Sequence, residues 1–197
     1  FVPNVDKDKV STIVLVLVRG TVQNEWYGNI NVGTGPEHYS FKFASEMVKD
    51  AFTEYYNVLK SNELVSDDVR AGITGHSRGA AIANLLAGQN FNAGKFEDFN
   101  KNNVYAYTFA TPNSSISGNI GMQNDNVFNV INPIDAVGCV PFNSWGFRRY
   151  GISLALVSFD ERSYTYDTEK DAVTSESMSF IEKLSRVNSY YSKSEFS

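Results

Sequence analysis

Val69–Ala87 reads VRAGITGHSRGAAIANLLA. Val69, Ala71 and Ile73 alternate with smaller or polar neighbours, the pattern of a strand with one apolar face. Ala80–Ala87 is almost wholly small or apolar, the pattern of a buried helix. Between them stands Gly75-His76-Ser77-Arg78-Gly79, a G-x-S-x-G match. In that motif a serine sits on a sharp strand-to-helix turn and its hydroxyl projects above the sheet edge. The glycines two before and two after leave room where backbones crowd. The following helix aims its N-terminal N–H groups at the turn, which suits a developing oxyanion. The five residues alone are a weak signal. The strand before and the helix after make them a candidate nucleophile elbow centred on Ser77, with Gly75, His76 and Gly79 as its frame.

Other elements extend outward from this unit. Thr12–Val18, TIVLVLV, is a continuous apolar run that predicts a strand buried on both faces. It ends in Arg19-Gly20-Thr21, at the strand end where open α/β sheets place ligand groups. Val22–Pro36 is rich in Asn and Gly and has the length of a loop that covers a site. A helix is predicted from Glu37 to Lys60, with Phe41, Ala44, Val48, Ala51, Tyr55 and Val58 as its apolar stripe. Gly88–Asn103 reads as a polar connection, Val104–Ala110 and Val127–Ile131 as strands, and Ile152–Val157 as an edge strand. Phe180, Leu184, Val187 and Tyr191 predict a final helix. Strands alternating with helices give an α/β class with a mostly parallel central sheet.

Asp135 follows a strand in this reading and lies C-terminal to Ser77. Serine then aspartate, each after a strand, is the α/β-hydrolase order, in which a histidine comes last. Asp135 is therefore the candidate acid, with Asp125 and Asp160 next in line. The chain holds two histidines, His38 and His76, and both precede Asp135. His76 adjoins the nucleophile and is expected to point away from it, so neither is read as the base.

Composition bounds the function. The 197 residues suit one domain, with 42% hydrophobic and 14% aromatic content that indicates a globular protein. The net charge is −5 without a basic run, which argues against nucleic acid. No apolar run reaches membrane-spanning length. The single cysteine, Cys139, excludes an internal disulfide framework. With two histidines and one cysteine no metal set is implied, and no cofactor is expected. GTGPEHYS lacks the Gly-Lys-Ser/Thr ending of a nucleotide-binding loop.

The pieces VLVRGT, EWYGN, EHYSFKFA, ITGHSRGAAIANLLA, VYAYTFATP, FNVINPIDAVGCVP and WGFRRYG, in this order, resemble the class 3 lipase family, the fungal-lipase-like branch of the α/β-hydrolases. GHSRGAA and NPIDAV are the specific parts. The resemblance implies an α/β-hydrolase-like sheet with helices on both faces, in a single domain over residues 1–197 that is incomplete at one or both ends. It implies Ser77 as nucleophile, Asp135 as acid, and an oxyanion hole from the N–H groups of Thr21 and Arg78. The family usually has leucine at position 78; arginine keeps the N–H but changes the side chain beside the site. The family's lid follows the oxyanion residue, here Val22–Pro36, and would make transient contact with a lipid surface. The implied activity is hydrolysis of carboxylic esters of lipids or small ester substrates. A binding module that has lost catalysis, or another acyl-transfer enzyme on the same serine, are the alternatives. An extracellular location is preferred to a cytoplasmic one, and the oligomeric state is left open.

Overall fold

A computed structural model describes residues 11–20, 32–116, 124–132 and 135–156. In chain order it contains β1 (Ser11–Val18), α1 (Tyr39–Ser61), β2 (Asp68–His76), α2 (Arg78–Leu86), β3 (Val104–Phe109), β4 (Val127–Ile131) and β5 (Ile152–Ala155). A π-helical turn, Ala87–Phe91, extends α2, and a 3-10 turn, Ala136–Cys139, follows β4. The strands form one five-stranded sheet in the order β1-β2-β3-β4-β5, every pair parallel. This is the α/β class with a parallel central sheet that the sequence predicts. The final helix expected around Phe180–Tyr191 lies outside the described residues.

Alternation along the strands builds the core. Val14 of β1, Val69, Ala71 and Ile73 of β2, Val104 and Ala106 of β3, and Val127 of β4 share one buried face. Phe52 and Tyr56 of α1 and Ala83 and Leu86 of α2 pack on it. Among the described residues β1 is covered on this face only. Ile13, Leu15 and Leu17 point the other way and are exposed, so the two-sided burial expected for TIVLVLV is met on one side.

The stripe predicted for α1 needs correction. Phe41 is buried, and Ala44 and Val48 are partly so, but Ala51, Tyr55 and Val58 face solvent. Phe52 and Tyr56 are buried instead. The predicted set advances 3.5 residues per turn and drifts off a straight helix, whose period is 3.6. Aromatic packing fixes the true face. Phe52 meets Phe91 edge-on at 5.0 Å and Phe99 at 5.6 Å, and Tyr56 lies 5.0 Å from Phe99 between ring centres. Phe91 and Phe99 belong to the stretch read as a polar connection, yet both are fully buried. The Tyr56 hydroxyl donates to Asp98 at 2.9 Å and Lys60 does so at 2.8 Å, which ties the same loop to α1.

This packing predicts a contrast that chemical denaturation measures. Phe52→Ala should cost about 3–5 kcal/mol, the usual price of emptying an aromatic core site. Tyr55→Ala, on the face that the sequence favoured, should stay within about 0.5 kcal/mol of the parent.

Candidate active site

β2 ends at His76 and α2 begins at Arg78, so Ser77 alone makes the turn between them. Its backbone is at φ 56°, ψ −126°, in the left-handed half of conformational space that side chains avoid. Such a residue costs about 1–3 kcal/mol and persists only where its surroundings hold it. They do so through the main chain. The Ser77 N–H donates to the Phe109 carbonyl at 2.9 Å, and the Ser77 carbonyl accepts from Ala80 N–H at 2.9 Å and Ala81 N–H at 3.2 Å.

The flanking glycines are needed for space. A Cβ on Gly75 would lie 2.4 Å from the Gly79 carbonyl oxygen, and one on Gly79 would lie 2.3 Å from that of Val18. Those are backbone atoms, so no side chain can move aside. The end of β1 therefore presses against the elbow. Gly20 completes the approach: a Cβ there would stand 3.9 Å from the Ser77 Cβ. Thr21, next in the chain, lies outside the described residues. Arg78 occupies the first position of α2, where helix N–H groups face outward along the axis.

Asp135 follows β4, on the same carboxyl edge of the sheet as Ser77. β3 runs between β2 and β4, so two strand spacings, roughly 10 Å, separate the two loops. Asp135 is half-buried and heads the 3-10 turn; its Oδ1 accepts the Val137 N–H at 2.9 Å. Asp125 is exposed and precedes β4, at the opposite edge from Ser77. Asp160 and residues 22–31 of the expected lid lie outside the described residues. Residues 32–36 of that segment are fastened to α1 and the β3–β4 loop: Val32 accepts from Tyr39 N–H at 3.0 Å and Pro36 from Ile116 N–H at 2.6 Å.

The two histidines stand in different surroundings. His38 is fully buried at the start of α1, its ring stacked on Phe41 at 3.7 Å, and its backbone N–H donates to the Ser114 carbonyl at 2.9 Å. His76 is exposed and pairs in register with Phe109, on the sheet face away from α1 and α2.

Two features beneath this edge escape the sequence reading. The first is a buried amide–hydroxyl network. Asn84 of α2 donates to Asn129 Oδ1 at 2.9 Å and to the Tyr150 carbonyl at 2.8 Å, and accepts from Ser114 Oγ and Tyr150 N–H, both at 3.0 Å. Thr108 donates to Asn129 Oδ1 at 2.8 Å, and Thr111 to Thr108 at 2.8 Å. The network joins the serine's helix to the strand that leads to Asp135. Its signal in the sequence is an asparagine interrupting each apolar run, AAIANLLA and VFNVI. The second feature is Arg149. Its guanidinium donates to the carbonyls of Thr111 at 2.6 Å and Gly138 at 2.7 Å, and burial pulls its pKa below the ordinary value. It clamps the turn that follows Asp135 to the loop that follows β3.

A parallel sheet carrying a strained serine at a strand–helix elbow, with an aspartate two strands away on the same edge, defines an α/β-hydrolase-like protein. The class 3 lipase family model matches residues 15–145, and the chain belongs to that family. A comparison with curated proteins finds no match. Among solved structures, a triacylglycerol lipase whose catalytic centre is formed by a serine-protease triad aligns with a TM-score of 0.57 at 18% identity, covering 74% of this chain and 58% of its own. A fungal lipase in complex with an inhibitor aligns at 0.53 and 20%, covering 69% and 54%. The lipase of Rhizopus microsporus var. chinensis aligns at 0.49 and 22%, covering 61% and 41%. The chain thus spans about half the length of these lipases.

The elbow's geometry predicts a stability ranking measurable by thermal or urea unfolding. Gly79→Ala should cost about 3 kcal/mol or more, because its Cβ meets immovable backbone. Asn84→Ala should cost about 1–3 kcal/mol by leaving buried partners unsatisfied. Gly35→Ala, with open space around it, should change little.

Proposed function

We propose that this protein is a serine hydrolase that cleaves carboxylic esters of lipids through an acyl-enzyme on Ser77. The observation that carries the reading is the left-handed Ser77 backbone held between a strand end and a helix N-terminus. That arrangement presents the hydroxyl at the sheet edge and costs stability that a mere turn would avoid.

In the proposed reaction Ser77 Oγ attacks the ester carbonyl while an imidazole takes its proton. The tetrahedral oxyanion receives the N–H of Arg78 and that of Thr21. The imidazolium returns the proton to the leaving alcohol, and water then releases the acid by the reverse sequence. Asp135 orients the imidazole and offsets its charge. Its part is supported by the fixed 3-10 turn and by the Arg149 clamp behind it. The base is assigned to a histidine outside these 197 residues. His38 is enclosed by its stacking on Phe41, and His76 belongs to the far face of the sheet. The domain would accordingly be one part of a longer α/β-hydrolase unit.

The segment 22–36 is assigned to covering the site and meeting a lipid surface, supported by its place directly after Thr21. An extracellular location goes with this reading, and assaying medium against cell fractions decides it. A second reading, a non-catalytic binding relative, is favoured by the placement of both histidines. An acyl transferase would share the first step and differ in its acceptor.

A fluorophosphonate probe on the native protein separates these readings. The probe should label Ser77, and Ser77→Ala should abolish labelling while leaving the unfolding midpoint in place. Asp135→Asn should keep the fold and lower ester turnover by roughly 10⁴-fold, as loss of the correct imidazole tautomer does. Labelling at another serine, or no labelling of folded protein, overturns the assignment.

A further inference from the structure

Thr111 and Gly138 follow β3 and β4 at the carboxyl rim of the sheet, and both are buried. Their carbonyl oxygens are acceptors, so neither can satisfy the other, and a buried acceptor needs a donor. One nitrogen serves both. Arg149 Nη1 donates to the Thr111 carbonyl at 2.6 Å and to the Gly138 carbonyl at 2.7 Å. Its Nε donates to Ser153 Oγ of β5 at 3.3 Å. The guanidinium therefore joins three segments at one point.

A charge is a costly way to do this. Among the described residues no carboxylate forms an ion pair with Arg149. A half-buried cation held by carbonyls and a hydroxyl loses hydration and gains no opposite charge. An ordered water or a neutral side chain could satisfy the same oxygens with less desolvation. What arginine adds is position, because its planar group carries donors in a fixed arrangement.

Each bridged loop leads to one half of the site. On one side the Gly138 N–H donates to the Asp135 carbonyl at 3.2 Å, and the Val137 N–H holds Asp135 Oδ1, so the acid moves with its turn. On the other side the Thr111 hydroxyl donates to Thr108, and Thr108 to Asn129 Oδ1. Asn84, on the helix that begins beside Ser77, donates to the same oxygen. Arg149 closes this path between the serine's helix and the aspartate's turn. We propose that Arg149 is a positioning residue for acyl transfer, holding the Asp135 carboxylate at the distance from Ser77 at which one imidazole meets both. The inference rests on the acyl-enzyme reading of Ser77 and adds to it a residue that acts through Asp135.

Steady-state kinetics on the full native enzyme test it, with active sites counted by fluorophosphonate titration. Arg149→Met should lower kcat for a p-nitrophenyl ester about 100-fold, the effect of displacing a reacting group by about 1 Å. KM should stay within about twofold, since substrate binding is untouched. The acid limb of the kcat/KM profile should move to lower pH, because an imidazolium without its carboxylate is less stable. Arg149→Lys keeps a cation with several hydrogens on one nitrogen and should recover about tenfold of the loss. In an Asp135→Asn background Arg149→Met should cost no more than about twofold further, since the two residues act as one unit. Arg148→Met removes the exposed neighbouring arginine and should leave kcat within about twofold. If Arg149→Met does not fold, Arg149→Gln, which keeps an amide donor, carries the same comparisons. Ordinary kcat in the Arg149 variants, an unmoved acid limb, or full additivity with Asp135→Asn would overturn the proposal while Ser77 still takes the label. A native enzyme whose Ser77 takes no label overturns the acyl-enzyme reading and this inference with it.

Discussion

One residue carries the whole change of direction between β2 and α2, and the fold around the site accommodates that fact. A single left-handed serine brings the helix back so sharply that its first turn touches the end of the neighbouring strand. Gly79 lies where any side chain would strike Val18. Ala80, Ala81 and Ala83 are fully buried because a helix this close to the sheet has room only for small side chains. Ile82 and Leu85 reach outward to Phe41 and Tyr150 and so fasten α1 and the β5 approach to the same helix.

Polar groups do the remaining alignment. Asn84, Asn129, Thr108 and Thr111 are fully buried and joined to one another. A satisfied buried network fixes relative position more narrowly than apolar contact, because each displaced group loses a partner that water cannot replace. Here it sets α2 against β3 and β4, the elements that carry Ser77 and lead to Asp135. Arg149 extends the same alignment across the rim, with two carbonyls as acceptors for a half-buried cation.

The sequence makes the frame legible and hides the fastenings. β1, β3 and β4 stand within a residue of their predicted bounds, and β2 where the alternation of Val69, Ala71 and Ile73 puts it, because alternation and apolar runs are local signals. The elbow is legible because steric need dictates glycine at two fixed offsets. The orientation of α1 is not, since Phe52 and Tyr56 are chosen by Phe91 and Phe99, about 40 residues away along the chain. Gly88–Asn103 looks polar because its aromatic residues follow no period; they are buried by where the loop folds. Arg149 and Asn84 carry no local mark of their partners, which come from four separate segments. The expected helices on both faces are seen on one face among the described residues, and the strand order explains why the connecting helices gather there.

The central claim is that the strained Ser77 elbow is a preformed acyl-transfer centre. A crystal structure of the native protein after reaction with a phosphonate ester tests it most directly. The account predicts phosphorus bonded to Ser77 Oγ, a phosphonyl oxygen within hydrogen-bond distance of the Arg78 N–H, and the Ser77 backbone still in its left-handed conformation. Phosphorus on another residue, or a Ser77 backbone that relaxes to an ordinary turn, would contradict it.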